Sequence, residues 1–238
     1  TLPSPAQFFA ELVRGQNAER VHRFYTNDAD FHAAIQRVYH AEILALYDAG
    51  ARTIQLDDCT WGMLVDPHFG VLMAGSGISV AELKTLYLTL NNGALADLPD
   101  DLVINTHVCR GNYHSDWAAS GGYDLVADEL LGQENVASYF LEYDSDRAGG
   151  FAPLAKVSGD KRVVLGLITT KTGELEDKQV IIDRIYEAVQ YLPLERLWLS
   201  TQCGFASTEE GNLLTEDQQW AKLALVRDIL TQVWGYKA

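Results

Sequence analysis

The strongest constraint on how this chain can fold is a series of short apolar runs, each followed by a stretch with helical spacing. Thr53 to Leu56, Leu102 to Thr106, Val136 to Glu142, Val163 to Ile168 and Leu197 to Ser200 have the length of buried strands, and Leu2 offers a sixth. Alternation of strand and helix is the pattern of a parallel sheet, because two parallel neighbours need a crossover, usually a helix, to return the chain. The expected class is therefore α/β. Periodicity alone leaves an open sheet and a closed barrel both available.

The helical stretches carry their own signals. Thr1 to Pro5 reads as a proline-bounded extended piece before a short helix over Ala6 to Val13. Asn27-Asp28-Ala29-Asp30 supplies N-cap chemistry for a long helix with Phe31, Ile35, Val38, Ile43 and Leu46 on one face, ending at Gly50. Ser79-Val80-Ala81-Glu82 and Thr215-Glu216-Asp217-Gln218 are capping boxes, in which the two side chains satisfy each other's backbone donors at a helix start. The first opens a helix to Asn92-Gly93. The second opens one whose buried face is expected at Trp220, Leu223, Val226, Leu230 and Val233. Tyr123 to Leu131 and Glu176 to Leu192 read as helices, the latter with Ile181, Ile185, Ala188, Val189 and Leu192 on one stripe. Cys59 to Gly77, Arg110 to Gly122 and Arg147 to Asp160 read as loops. With no repeat, low-complexity tract or interdomain linker, residues 1–238 are expected to form one domain.

Composition narrows the function. A hydrophobic content of 47% with 21% charged residues over 238 positions is enough for a substantial core. A net charge of −15 repels nucleic acid and anionic membrane surfaces, so neither is expected as a partner. No apolar run reaches the ~18 residues of a membrane span. Three cysteines and no signal peptide argue against a disulfide framework and for a reducing, cytoplasmic setting.

Chemistry-bearing residues gather at the ends of three of the apolar runs. After Leu102 to Ile104 comes Asn105-Thr-His107-Val-Cys109-Arg-Gly-Asn112. In an extended segment residues i and i+2 point the same way, so His107 and Cys109 can face one metal ion. Imidazole and thiolate suit Zn²⁺, and such a pair needs one or two further ligands from elsewhere. The next run ends on Glu142, followed by Tyr143-Asp144-Ser145-Asp146-Arg147-Ala148-Gly149, and the last runs into Thr201-Gln202-Cys203-Gly204-Phe205. In parallel α/β proteins all strands empty their C-terminal ends onto one face, where sites are built.

Taken together, H-x-C, L-E-Y-D-S-D-R-A-G and S-x-Q-C-G-F resemble the cobalamin-independent methionine synthase family, and more narrowly its short single-barrel relatives. The similarity runs from Thr1-Leu-Pro-Ser-Pro5 through Ile54-Gln-Leu-Asp57 to Val233-Trp-Gly235. The resemblance implies a (β/α)₈ barrel of TIM type, with Thr1 to Pro5 near its third strand and the first two strand-helix units outside this chain. It implies Zn²⁺ held by His107, Cys109, Glu142 and Cys203. A carboxylate in such a set leaves room for an incoming ligand, and coordination turns a thiol substrate into a thiolate at neutral pH. The implied partners are homocysteine and a methyl donor, 5-methyltetrahydrofolate or another carrier, with methionine as product. Alkyl transfer involving a different thiol, as in zinc-dependent coenzyme M transferases, and a non-catalytic zinc-binding fragment are the alternatives.

The resemblance also assigns roles around the metal. Asp57 matches the carboxylate that holds the amino group of homocysteine; the plain alternative is a strand-terminal aspartate capping the next turn. Asp58 and Cys59 stand where the family has glutamate and proline, and Cys59 is expected to be a small buried residue rather than a ligand. Asp144 and Arg147 can bind a polar substrate or lock each other in a salt-bridged loop. His114 and Trp117 are candidates for the mouth of the site. The family's histidine beyond the seventh barrel strand is missing from Thr169-Thr-Lys-Thr-Gly-Glu174, where Lys171 is the candidate to orient an anion or donate a proton. Raw strand edges, if two units are absent, predict either self-association, with a homo-oligomer as one outcome, or poor protection of the neighbouring strands.

Overall fold

A computed structural model describes residues 1–69 and 78–236. Its centre is a sheet of six strands, all parallel and adjacent in sequence order: β1 (Leu2–Pro3), β2 (Thr53–Asp57), β3 (Val103–Val108), β4 (Ser138–Glu142), β5 (Arg162–Ile168) and β6 (Leu197–Thr201). Doubly wound sheets reverse strand order at a switch point, whereas barrel walls keep strict succession. The order seen here is that of a barrel wall, which resolves the choice that periodicity left open. Among the described residues β1 and β6 are the edges of the sheet.

Eight helices accompany the strands among the described residues: α1 (Pro5–Leu12), α2 (Gln16–Phe24), α3 (Asp28–Asp48), α4 (Cys59–Leu64), α5 (Val80–Ala94), α6 (Ala127–Gln133), α7 (Lys178–Ala188) and α8 (Glu216–Trp234). Side chains alternate across the pleat. One face of the sheet, with Ile54, Leu56, Ile104, Val108, Tyr139, Leu141, Val163, Leu165, Leu197 and Leu199, is buried in the main core. Each such aliphatic side chain contributes about 1.5 to 3 kcal/mol by leaving water. The other face carries Gln55, Asp57, Asn105, His107, Glu142 and Ser200, aligned through the pairings Gln55↔Asn105, Asp57↔His107 and Gly166↔Ser200. These polar side chains thus share one side of the sheet and, at the strand ends, one rim.

Local chemistry places the helices. Ser79 and Thr215 form the expected reciprocal caps with Glu82 and Gln218. Asn27 accepts from the Asp30 N–H at the start of α3, and Ser4 accepts from the Gln7 N–H at the start of α1. Several expectations need correction. Cys59 to Leu64 is a short helix, because the Asp58 side chain accepts the Thr60 N–H and caps it; the part of that expected loop over 70–77 lies outside the described residues. Helix α2 has no counterpart in the sequence reading, since none of its residues is buried. Tyr123 to Leu131 divides into a 3₁₀ turn, Tyr123–Leu125, and then α6. On α3 the buried row is Phe31, Ile35, Tyr39 and Ile43, a strict i+4 series that leaves Val38 62% exposed. On α8 Trp220 and Leu223 face outward, while Val226, Leu230 and Val233 pack partly against the core. That helix is turned by Lys222, which is fully buried and donates to the Glu174 carbonyl and the Glu176 carboxylate.

Candidate metal centre

His107 is the fifth residue of β3, and Cys109 follows that strand by one position on the same side. Cys203 comes two residues after β6. Their ligand atoms lie within 4.8 Å of one another, with His107 Nε2 3.3 Å from Cys203 Sγ. Both cysteines are nearly closed off from solvent, and all three cysteines of the chain are free thiols. Residues 96 positions apart meet because β3 and β6 end on one rim.

The thiols share charge unequally. Hydrogen bonds from Cys203 and then Cys59 hold the Cys109 thiol well below its ordinary value despite burial, with His107 adding to the effect. Cys203 and Cys59 are pushed up, each first by its hydrogen bond with Cys109 and then by burial. Burial favours neutral His107, but the hydrogen bond and charge of Cys109, followed by Asp57 and Glu142, raise its pKa overall. Of the three thiols, Cys109 is thus the one most readily deprotonated. Imidazole and thiolate are the soft, deprotonatable donors that Zn²⁺ takes, and their convergence within one ion's reach fits that metal.

Glu142 is placed beside this group but is not one of the three. It is fully buried, and its Oε1 accepts from Arg147 Nη2 at 2.9 Å and Nε at 3.2 Å, while Oε2 accepts the Arg110 N–H at 3.0 Å. Burial raises its pKa, with Asp144 adding to the rise against the pull of Arg110 and Arg147. Asp144 is held by the same guanidinium at 2.9 Å, and that guanidinium lies 4.5 Å from the centre of the Trp117 ring. Asp144 and Arg147 are thus joined in a salt bridge directly beside Glu142.

Asp57 stands next to His107 in the pairing of β2 with β3. Gln55 Nε2 donates to its Oδ1 at 2.9 Å, and Oδ2 takes no hydrogen bond among the described residues. Lys171, the candidate to orient an anion or donate a proton, is nearly buried and close enough to Cys203 for its charge to act on that thiol. Its ammonium donates to the Gly111 carbonyl, Asn112 Oδ1 and the Asp116 carbonyl at 3.0, 3.0 and 3.3 Å, which matches its three N–H groups. It ties the loop after β3 to the end of β5. Trp117 and His114 are exposed on that loop, as a mouth requires.

Two residues that matter were missed or undervalued in the sequence. Cys59, at the start of α4, brings its Sγ to 3.2 Å from Cys109 Sγ. The signal was Gly62 three residues on: a Cβ there would collide with the Cys109 carbonyl oxygen, so α4 lies directly on the end of β3. Arg110 is entirely buried, stacks 4.3 Å from the Tyr123 ring centre and donates to Tyr123 Oη and the Gly121 carbonyl. It fixes the chain immediately after Cys109. A charged residue in a polar loop gives no sequence sign of such burial.

Comparison with known proteins agrees with this geometry. The family model for the catalytic domain of the cobalamin-independent synthase matches residues 11–225. YxjH of Bacillus subtilis strain 168, an uncharacterized protein, is 46% identical over 235 residues, which are 98% of this chain and 61% of that one. A solved structure from Listeria monocytogenes, assigned as a vitamin-B12-independent methionine synthase, is 34% identical with a TM-score of 0.71, over 98% of this chain and 63% of that chain. The B12-independent methionine synthase of Shewanella sp. W3-18-1 has a TM-score of 0.63 at 18% identity, over 84% and 53%, and speaks for the fold alone. The chain spans less than two thirds of the length of these relatives. The architecture is of the TIM-barrel type, and the chain belongs to the cobalamin-independent synthase catalytic-domain family.

Proposed function

We propose that this chain is the catalytic barrel unit of a zinc-dependent S-methyltransferase that accepts homocysteine and, with 5-methyltetrahydrofolate or another methyl carrier, forms methionine. The observation that carries the reading is the buried convergence of His107, Cys109 and Cys203 at the C-terminal rim of the sheet. These three would hold the zinc, and Glu142 would stand as the exchangeable fourth donor, with Arg147 competing for its carboxylate. Bound there, zinc supplies Lewis acidity that deprotonates a thiol at neutral pH and fixes its direction.

The chain's own residues supply the remainder. Asp57, beside His107 and with one oxygen open to a new donor, binds the substrate ammonium. Arg147 holds the Glu142 and Asp144 carboxylates together in a closed setting, and Trp117 covers that guanidinium from the solvent side. Lys171 holds the 111–116 loop through three hydrogen bonds. Burial of the thiols excludes water, which strengthens each charge interaction at the reacting sulfur.

The test is methionine formation from homocysteine and a methylated folate by the purified protein, read by mass spectrometry beside metal content. About one zinc per chain is expected, and Cys109→Ser or Cys203→Ser should lose metal and product together, since each removes a soft ligand. Full zinc in both variants, or undiminished methionine from zinc-stripped protein, would end the reading.

A further inference from the structure

The three-residue cluster leaves one neighbour unused. Cys59 Sγ touches Cys109 Sγ at 3.2 Å, yet Cys59 does not belong to the group whose ligand atoms all lie within 4.8 Å of one another. It therefore flanks Cys109 from outside the set formed with His107 and Cys203. A disulfide has sulfurs about 2.05 Å apart, so the pair must close by only about 1.2 Å. Both partners are anchored near this distance: α4 is pressed onto the Cys109 carbonyl at Gly62, and the Arg110 backbone is held by Glu142. Cys59 is half-buried and Cys109 is buried, so a small oxidant is the kind that can enter.

We propose that Cys59 and Cys109 form a disulfide on exposure to a hydroperoxide, and that the bond withdraws Cys109 from the metal-ligand set. One sulfur, as thiolate, attacks the O–O bond and becomes a sulfenic acid, with the released hydroxide leaving as water after taking a proton. The other sulfur then displaces the sulfenic oxygen, which leaves as a second water once it has taken up a proton. Two thiols and one hydrogen peroxide give one disulfide and two waters, with the sulfurs oxidised and the peroxide oxygens reduced. A thiol reductant reverses the bond by exchange. The pairing differs from the direct alternative, Cys109 with Cys203, in which two ligands of one ion would join. The disulfide stands on the sulfur geometry alone, whereas its effect on zinc rests on the function proposed above.

The test treats the purified protein, with zinc and after chelation, with hydrogen peroxide, then blocks free thiols and maps cross-linked peptides. The expected result is loss of two hydrogen atoms, a Cys59–Cys109 peptide as the main product, loss of bound zinc in step with it, and recovery of zinc binding after dithiothreitol. Cys59→Ala and Cys59→Ser, both small replacements outside the ligand set, should lack that peptide while still binding zinc before oxidation. Cys59 remaining a free thiol while Cys109 pairs with Cys203, or while Cys109 passes to sulfinic acid, would overturn the proposal. If the disulfide forms in a protein that binds no zinc, the switch chemistry stands and the metal reading fails.

Discussion

Single side chains at two places make separable claims. Asp57 is placed beside His107 with an unused carboxylate oxygen. Asp57→Asn should therefore weaken an amino-acid thiol by roughly ten- to a hundredfold, the worth of a charge-assisted contact, and a simple alkyl thiol far less. Titrating both thiols against both proteins decides it, and equal losses would make Asp57 a structural residue. Glu134 shares the Asn91 amide with Asp58, the cap of α4. It is wholly buried, Oε1 accepts from Asn91 at 2.7 Å, Oε2 has no donor among the described residues, and burial, with the nearby Asp58 charge, pushes its pKa to about 8. The folded state thus keeps a proton that the unfolded chain releases above its own value of 4.5. Stability from this group is full below that unfolded value and is lost as pH rises through about 8. Glu134→Gln should flatten the fall in melting temperature between pH 5 and 8, where one such group contributes a slope of up to about 1.4 kcal/mol per pH unit. An unchanged slope would assign the pH dependence elsewhere, with Asp58, also raised by burial, next in line.

Among the elements, the contact of α4 with the end of β3 is the most exposed to a single change. A methyl group at Gly62 has to displace either the helix or the Cys109 carbonyl. Gly62→Ala should cost about 1 to 3 kcal/mol in denaturant unfolding, the usual range for overpacking, and lower zinc affinity because Cys109 moves with its carbonyl. A variant with full stability and full zinc would show that the contact is slack. Lys171→Met tests the loop after β3: hydrogen exchange over 110–117 should speed up while zinc content stays near one per chain, since the ammonium binds loop oxygens and no ligand. Loss of the metal with no change in exchange would return Lys171 to the site. At this scale the sequence was legible where a local rule decided the outcome, as with the two capping boxes and the strands that bury one face. It failed where tertiary contacts decided. The turn of α8 is set by buried Lys222, and α4 depends on the Asp58 cap and on packing against Cys109.

The whole molecule is a parallel wall whose candidate metal ligands sit at the ends of β3 and β6, three strand positions apart. His107, Cys109 and Cys203 were legible because strand ends in a parallel sheet share a rim. The engagement of both Glu142 oxygens was not, because Arg147 and Arg110 reach it through loop geometry that has no periodicity. A metal that joins distant strands should stabilise the fold by binding it and not the unfolded chain, so chelation should lower the melting temperature by an amount that grows with free zinc in the control. No helix among the described residues is long and apolar enough to cross a membrane. The most direct test of the account is zinc K-edge absorption of the loaded protein with and without homocysteine. The account predicts two sulfurs and one imidazole nitrogen before the thiol is added, and one more sulfur in place of an oxygen afterwards. A sulfur count that stays the same in saturating homocysteine would contradict it.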